Sequence, residues 1–191
     1  EFAKNYSMPL SVRSSLTEET GTILLEEPTL EKNLIVRGVA FEPEIVRMTV
    51  AYKVPFNGSL AKIFTTLAKH HVNVDIIVQS IMEGIQPSVS FSIKKEDFAE
   101  AVQVLESNKA DLGYQSMNYE VGLAKVSIVG SGMVSNPGVA AQMFDRLRIE
   151  GIPVKMVSTS EIKVSVVVPE SEMLKAANAL HDEYELTAVR V

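Results

Sequence analysis

The 191-residue chain contains no cysteine and no tryptophan. Without thiols there is no disulfide framework, no thiolate nucleophile and no cysteine-ligated metal, a composition that suits a reducing, cytoplasmic setting. Aromatic residues make up only 6%, so the core must be assembled from Val, Ile, Leu, Ala and Met. Lys and Arg number 18 against 24 Asp and Glu, a net charge of −6, and the basic residues form no cluster. A binder of the phosphate backbone needs a basic face, so nucleic acid is not an expected partner. No apolar run approaches the roughly 20 residues that span a bilayer, and none has the character of a secretory leader, so no membrane partner is expected. Glu1–Tyr6 reads as the end of a helix already under way, as if the start were a cut inside a longer protein. The three histidines, His70, His71 and His181, lack metal-ligand spacing, and surface or capping roles are expected for them.

What the chain does have is an internal repeat. Shifted by 80 residues, Gly58 falls on Gly138, Phe64 on Phe144, Leu67 on Leu147, Val72 on Ile152, Val74 on Val154 and Ser80 on Ser160. After a five-residue gap the shift becomes 75, and Val89 meets Val164, Ser90 meets Ser165, Ile93 meets Val168, Ala101 meets Ala176 and Leu105 meets Leu180. Each copy covers ~60 residues, the size of a compact α/β unit rather than of a solenoid repeat. Within the second copy, Lys125–Val129 alternates as a strand does. Residues Gly130–Gly138 are turn chemistry, and Val139, Met143, Phe144 and Leu147 fall on one helical face. Gly151 stands where a left-handed cap ends a helix. Strands follow at Val154–Ser158 and Ile162–Val168, then a helix after Ser171 with the stripe Leu174, Ala177, Leu180. The first copy matches, with strand Met48–Lys53, helix Leu60–His70, strands Val74–Gln79 and Val89–Ile93, a hairpin connection near Glu83–Pro87, and helix Phe98–Glu106. Ahead of the repeat, Pro9–Ser15, Thr22–Glu26 and Asn33–Phe41 read as strands. The order strand-helix-strand-strand-helix-strand is ferredoxin-like. The expected class is α+β: two tandem βαββαβ units, antiparallel sheets with helices on one face.

The runs Lys125–Met133, Asn136–Ala141 and Met156–Ser165 resemble the second ACT domain of aspartokinases. Asn73–Gln79 resembles the matching segment of the first, and Val12–Ser15 with Gly21–Thr22 is similar to the junction leaving the kinase domain. The resemblance covers essentially the whole chain and implies the regulatory part of an aspartokinase, acting in feedback inhibition of lysine, threonine and methionine synthesis. It implies residues 1–32 as a remnant of the kinase junction, 33–43 as a strand completing the second ACT unit, 44–119 as the first unit and 120–191 as the second, the first being inserted in the second. It also implies a homodimer joined near Val126–Val129 and Met48–Val50, and a partner in an aspartokinase catalytic domain or α subunit. No phosphate-binding glycine loop, paired acid and base or nucleophile is present. The chain itself is therefore expected to be non-catalytic and without cofactor, ATP and magnesium belonging to a catalytic domain.

A free amino acid needs several N–H donors for its carboxylate, and a loop entering a helix supplies them. Ser135, Asn136, Pro137, Gly138 and Val139 form such a loop, with Gly138 allowing close approach and Pro137 suited to a helix start. A ligand ammonium needs carbonyls or a carboxylate, for which Asp75 and Glu161 are candidates. The resemblance implies a lysine-type effector site of Asn73, Val74 and Asp75 facing Met133, Ser135, Asn136, Pro137, Gly138 and Val139, with Ser160 and Glu161, across an ACT interface. A threonine-type site of Asn57, Gly58, Gln79, Pro153 and Val154 departs from the family pattern. Its loop reads Pro55-Phe56-Asn57-Gly58, with Leu60 where alanine is usual and Pro153 where asparagine is usual. Lysine is thus favoured over threonine, with meso-diaminopimelate also open. The competing readings are a threonine-responsive regulator, a small enzyme on the same fold, and an assembly subunit that binds no effector.

Overall fold

The structure is a computed structural model, and it describes residues 6, 8–24, 35–53, 58–81, 86–131, 133 and 136–186. The elements expected near Glu1–Tyr6 and Glu83–Pro87 fall largely outside that set. Two short strands, β1 (Leu10–Val12) and β2 (Thr22–Leu24), pair antiparallel and stand apart from the rest. The body comprises β3 (Gly38–Ala51), α1 (Ser59–Lys69), β4 (Val74–Ser80), β5 (Ser88–Lys94), α2 (Phe98–Ser107), α3 (Lys109–Leu112), β6 (Ser116–Val129), α4 (Val139–Ile149), β7 (Met156–Thr159), β8 (Lys163–Pro169) and α5 (Met173–Glu183). All six of these strands join one antiparallel sheet in the order β4-β5-β3-β6-β8-β7.

One continuous sheet replaces two separate ones because two strands are longer than the sequence pattern implies. The strands expected at Asn33–Phe41 and Met48–Lys53 are not distinct: Gly38–Phe41 and Met48–Ala51 are parts of the single 14-residue β3. Lys125–Val129 is the end of the 14-residue β6. Pro43 reads as a strand breaker, but the register shifts between Glu42 and Ile45, and this bulge absorbs it. The first half of β3 pairs with the second half of β6, whose other side carries β8 and then β7. The second half of β3 pairs with the first half of β6 and with β5, which carries β4. In sequence, α1 to α3 therefore lie between the two long strands that close the second unit.

Each unit buries its own core. Val46, Met48, Val50, Val89, Phe91 and Ile93 pack beneath Ile63 and Leu67 of α1 and Ala101 and Leu105 of α2. Val126, Ile128, Val164, Val166 and Val168 pack beneath Val139, Met143 and Leu147 of α4 and Ala176, Ala177 and Leu180 of α5. Side chains of this size stabilise by ~1.5–3 kcal/mol each when fully buried. Two apolar residues fall off the expected helix stripes: Phe144 is 36% exposed and Leu174 59%. At 3.6 residues per turn the buried line of α4 is Val139, Met143, Leu147, and Phe144 lies at its margin. On α5 the alanines Ala176 and Ala177 face the core instead of Leu174, which allows close approach to β3, β6 and α4.

A third cluster joins Ile45, Ile76, Leu123, Met156 and Val167. Val167 alternates with Val166 and Val168, so this cluster occupies the sheet face opposite α4 and α5. It brings β4 and β7, the two edges of the sheet, into contact. The sheet therefore curls. Met48–Val50 and Val126–Val129 have pairing partners on both sides. They cannot be the seam at which sheets of two chains join; the free edges belong to β4 and β7.

Candidate functional site

Gly130 follows β6, and its N–H donates to the Ile162 carbonyl at 2.9 Å. That bond ties the start of the loop before α4 to the turn carrying Ser160 and Glu161. A Cβ on Gly130 would lie 2.1 Å from the Ile35 carbonyl oxygen, so glycine is required by close approach. Beyond it, Met133 packs half-buried against the second core, and its carbonyl accepts from Asn136 N–H at 3.4 Å. Ser135 lies outside the described residues. Pro137 is exposed, and Gly138 takes φ 104 as the N-cap of α4, with no side-chain capping bond. The first-turn N–H groups of a helix have no partner within their own helix, so this end of α4 suits an anion. Tyr184 donates its hydroxyl to the Val139 carbonyl at 2.7 Å. Burial, with the Glu183 charge behind it, pushes that phenol up to about 12. Ser160 bonds through N–H and Oγ to the Lys163 carbonyl, at 2.7 and 3.3 Å, which tightens the turn. Glu161 is exposed at its tip.

Asn73 precedes β4, and its N–H reaches Asp97 Oδ2 at 3.4 Å. Val74 is half-buried against the first core. Asp75 is already engaged: Lys125 Nζ lies 2.5 Å from its Oδ2 and 2.7 Å from Glu42 Oε2. Burial lowers the Lys125 pKa, but its hydrogen bonds to the two carboxylates outweigh that and hold it above the usual lysine value. A related cluster surrounds Arg47. Its Nη2 lies 2.6 Å from Glu120 Oε2, and Lys155 Nζ lies 2.9 Å from Glu120 Oε1. The Lys155 hydrogen bond holds the Glu120 carboxyl below its usual range, against partial burial and with help from the Arg47 charge.

Of the threonine-type residues, Asn57 lies outside the described set, and Gly58 takes φ 93 as the uncapped N-cap of α1. Gln79 is exposed on β4, and Pro153 and Val154 are exposed on the approach to β7. Val78 and Val154 line a common cleft of about 370 Å³ with Arg47, Ser90, Lys155, Met156 and Val157. Val78 and Val154 thus share one cleft, and Ile76 and Met156 share the third core cluster. His70 Nδ1 lies 2.9 Å from Glu100 Oε1, a surface pairing. Among the described residues no group of three His, Asp or Glu side chains is arranged to hold a metal ion, and no helix is long and apolar enough to cross a membrane.

A family profile for the ACT domain matches residues 57–108 and 126–184. The chain is 35% identical to a crystal structure of aspartokinase alpha and beta subunits, with a TM-score of 0.73 over 79% of this chain and 99% of that one. It is 32% identical to the ligand-free regulatory subunit of aspartate kinase from Thermus thermophilus, with a TM-score of 0.72 over 78% and 98%. The chain belongs to the ACT-domain regulatory part of the aspartokinase family. Among full-length relatives, it is 59% identical to an aspartokinase of Bacillus sp. strain MGA3 over all of its own residues, and 55% to aspartokinase 2 of Bacillus subtilis strain 168 over 98% of them. It spans 46% of the length of each of these two relatives.

Within this ACT pair, sequence reasoning missed the ion clusters on the sheet. Glu42 stands directly opposite Lys125, and Arg47 directly opposite Glu120. The signal was available in the spacing: Glu42 to Glu120 and Arg47 to Lys125 are both offsets of 78, the offset between β3 and β6 themselves. Only the strand pairing shows which acid faces which base.

Proposed function

We propose that this chain is the non-catalytic regulatory region of an aspartokinase, that it binds free L-lysine between ACT units, and that binding transmits feedback inhibition to an aspartate-phosphorylating catalytic domain or α subunit. One observation carries the reading: the start of the loop that leads into α4 is tied to the Ser160–Glu161 turn by the bond from the Gly130 N–H to the Ile162 carbonyl. N–H donors for a carboxylate and an acid for an ammonium thereby belong to one constellation. Asn73–Asp75 supply the facing wall. A second copy of the chain would cover it, and the free β4 edge, with exposed Ile77, Val78 and Ile81, suits strand pairing between copies. We divide the chain accordingly into a kinase-junction remnant at 1–32, a closing strand at 33–43, and ACT units at 44–119 and 120–191.

Inhibition requires that lysine bind one arrangement of the ACT units better than another, since only differential affinity shifts a conformational equilibrium. Typical couplings are ~1–3 kcal/mol. The test is a calorimetric titration of the chain with lysine, threonine, methionine and meso-diaminopimelate. Lysine is expected to bind and threonine weakly or not at all. Tighter threonine binding overturns the assignment in favour of the Val78–Val154 cleft, and no binding by any of the four leaves an assembly subunit. Sedimentation is expected to give a dimer at micromolar concentration.

A further inference from the structure

The two ion clusters occupy equivalent positions in the repeat but carry opposite surpluses. Around Lys125 there are two carboxylates, Glu42 and Asp75; Glu42 also meets Lys94 at 3.9 Å, and Lys94 meets Glu96 at 3.8 Å, so carboxylates exceed cations three to two. Around Glu120 there are two cations, Arg47 and Lys155, for one carboxylate. Lys155 stands where Asp75 stands in the other copy, at the 80-residue shift of the repeat. The backbone scaffold is the same, so the difference lies in these side chains. An added ammonium is attracted to the Lys125 cluster and repelled from its mate.

We propose that Lys125 is an internal competitor for the effector: its ammonium holds Asp75 in the empty protein, and the ammonium of a bound amino acid takes its place, leaving Lys125 on Glu42. The inference rests on the assignment of Asn73–Asp75 to the effector site. Three features support it. The Asp75 side chain is 46% exposed, so an ammonium from solvent reaches it, whereas Lys125 is only 14% exposed. Glu42 keeps Lys125 paired after the exchange, which avoids an unpaired covered charge. Lys125 belongs to the strand of the second unit and Asp75 to the first, so the exchange breaks a link between units and couples ligand binding to their arrangement.

Competition and simple structural support differ in sign. Lys125→Met frees Asp75, so lysine affinity should rise about threefold or more. Glu42→Gln removes the fallback partner, so Lys125 holds Asp75 harder and lysine affinity should fall. Asp75→Asn should weaken binding in the parent and abolish the gain from Lys125→Met. The parent, the three single variants and the Lys125→Met/Asp75→Asn double variant would be titrated with lysine by calorimetry, with circular dichroism confirming that each is folded. Parent protein that binds no lysine overturns the effector-site reading itself. Parent protein that binds lysine while Lys125→Met binds equally or more weakly overturns the competitor role and leaves the effector site standing. Should Lys125→Met fail to fold, Glu42→Gln decides alone, because unchanged or tighter binding contradicts the exchange.

Discussion

Glu44 and Gly122 occupy the same place in β3 and β6, and both hold left-handed backbone, at φ 57 and φ 71. The strands run through 14 residues each with the same alternation of burial at every position but one. The bulge at Glu44 and Gly122 swaps which residue parity faces the helices, so one sheet can serve two cores. Glutamate is strained at this φ and glycine is not. No heavy atom lies within 4 Å of a Cβ built on Gly122, so Gly122→Ala should cost only the conformational term, about 1 kcal/mol. Glu44→Gly should be stabilising or neutral. Urea midpoints of the two variants, moving in opposite directions or with Glu44→Gly unmoved, check this.

Gly130→Ala should be far more damaging than Gly122→Ala, although Gly130 has no left-handed strain. Its Cβ would meet Ile35 and Val36 backbone atoms at 2.1 to 3.0 Å. Backbone must move, at a cost of about 2–3 kcal/mol, and the loop before α4 moves with it. Thermal unfolding should report a large loss, and lysine affinity should fall in parallel.

Tyr184 links the end of α5 to the first turn of α4 through its hydroxyl. Its folded pKa, raised to about 12, exceeds the unfolded value near 10. The protonated phenol is the form favoured by folding, so this contribution is complete below about pH 10 and is lost as pH rises through about 12. Tyr184→Phe should cost about 1 kcal/mol near neutrality and should flatten the alkaline decline. Stability measured against pH for both proteins tests the sign: a parallel decline in the variant would remove Tyr184 as its source.

Glu161→Ala should weaken lysine binding by about 2 kcal/mol, roughly 30-fold, if Glu161 pairs with the ligand ammonium. The residue is exposed in the empty chain, so folding stability should change by less than ~0.5 kcal/mol. Unaltered lysine affinity in a folded Glu161→Ala protein would leave Glu161 as a solvated turn acid.

The sequence by itself determined the repeat, the class of each unit and the loop chemistry before α4. These are local properties: β-branched alternation in Lys163–Pro169, the period of Val139, Met143 and Leu147, and glycines at Gly58, Gly138 and Gly151 that all adopt positive φ. Tertiary structure decided how the units share strands. Pro43-Glu44 looks like a break in any one-dimensional reading, and only pairing with β6 turns it into a bulge within one strand. It also decided that Asp75 meets Lys125, 50 residues away. Such a contact follows from the curl and register of a sheet whose pairings are long-range, and no local periodicity encodes which charge will lie across from which.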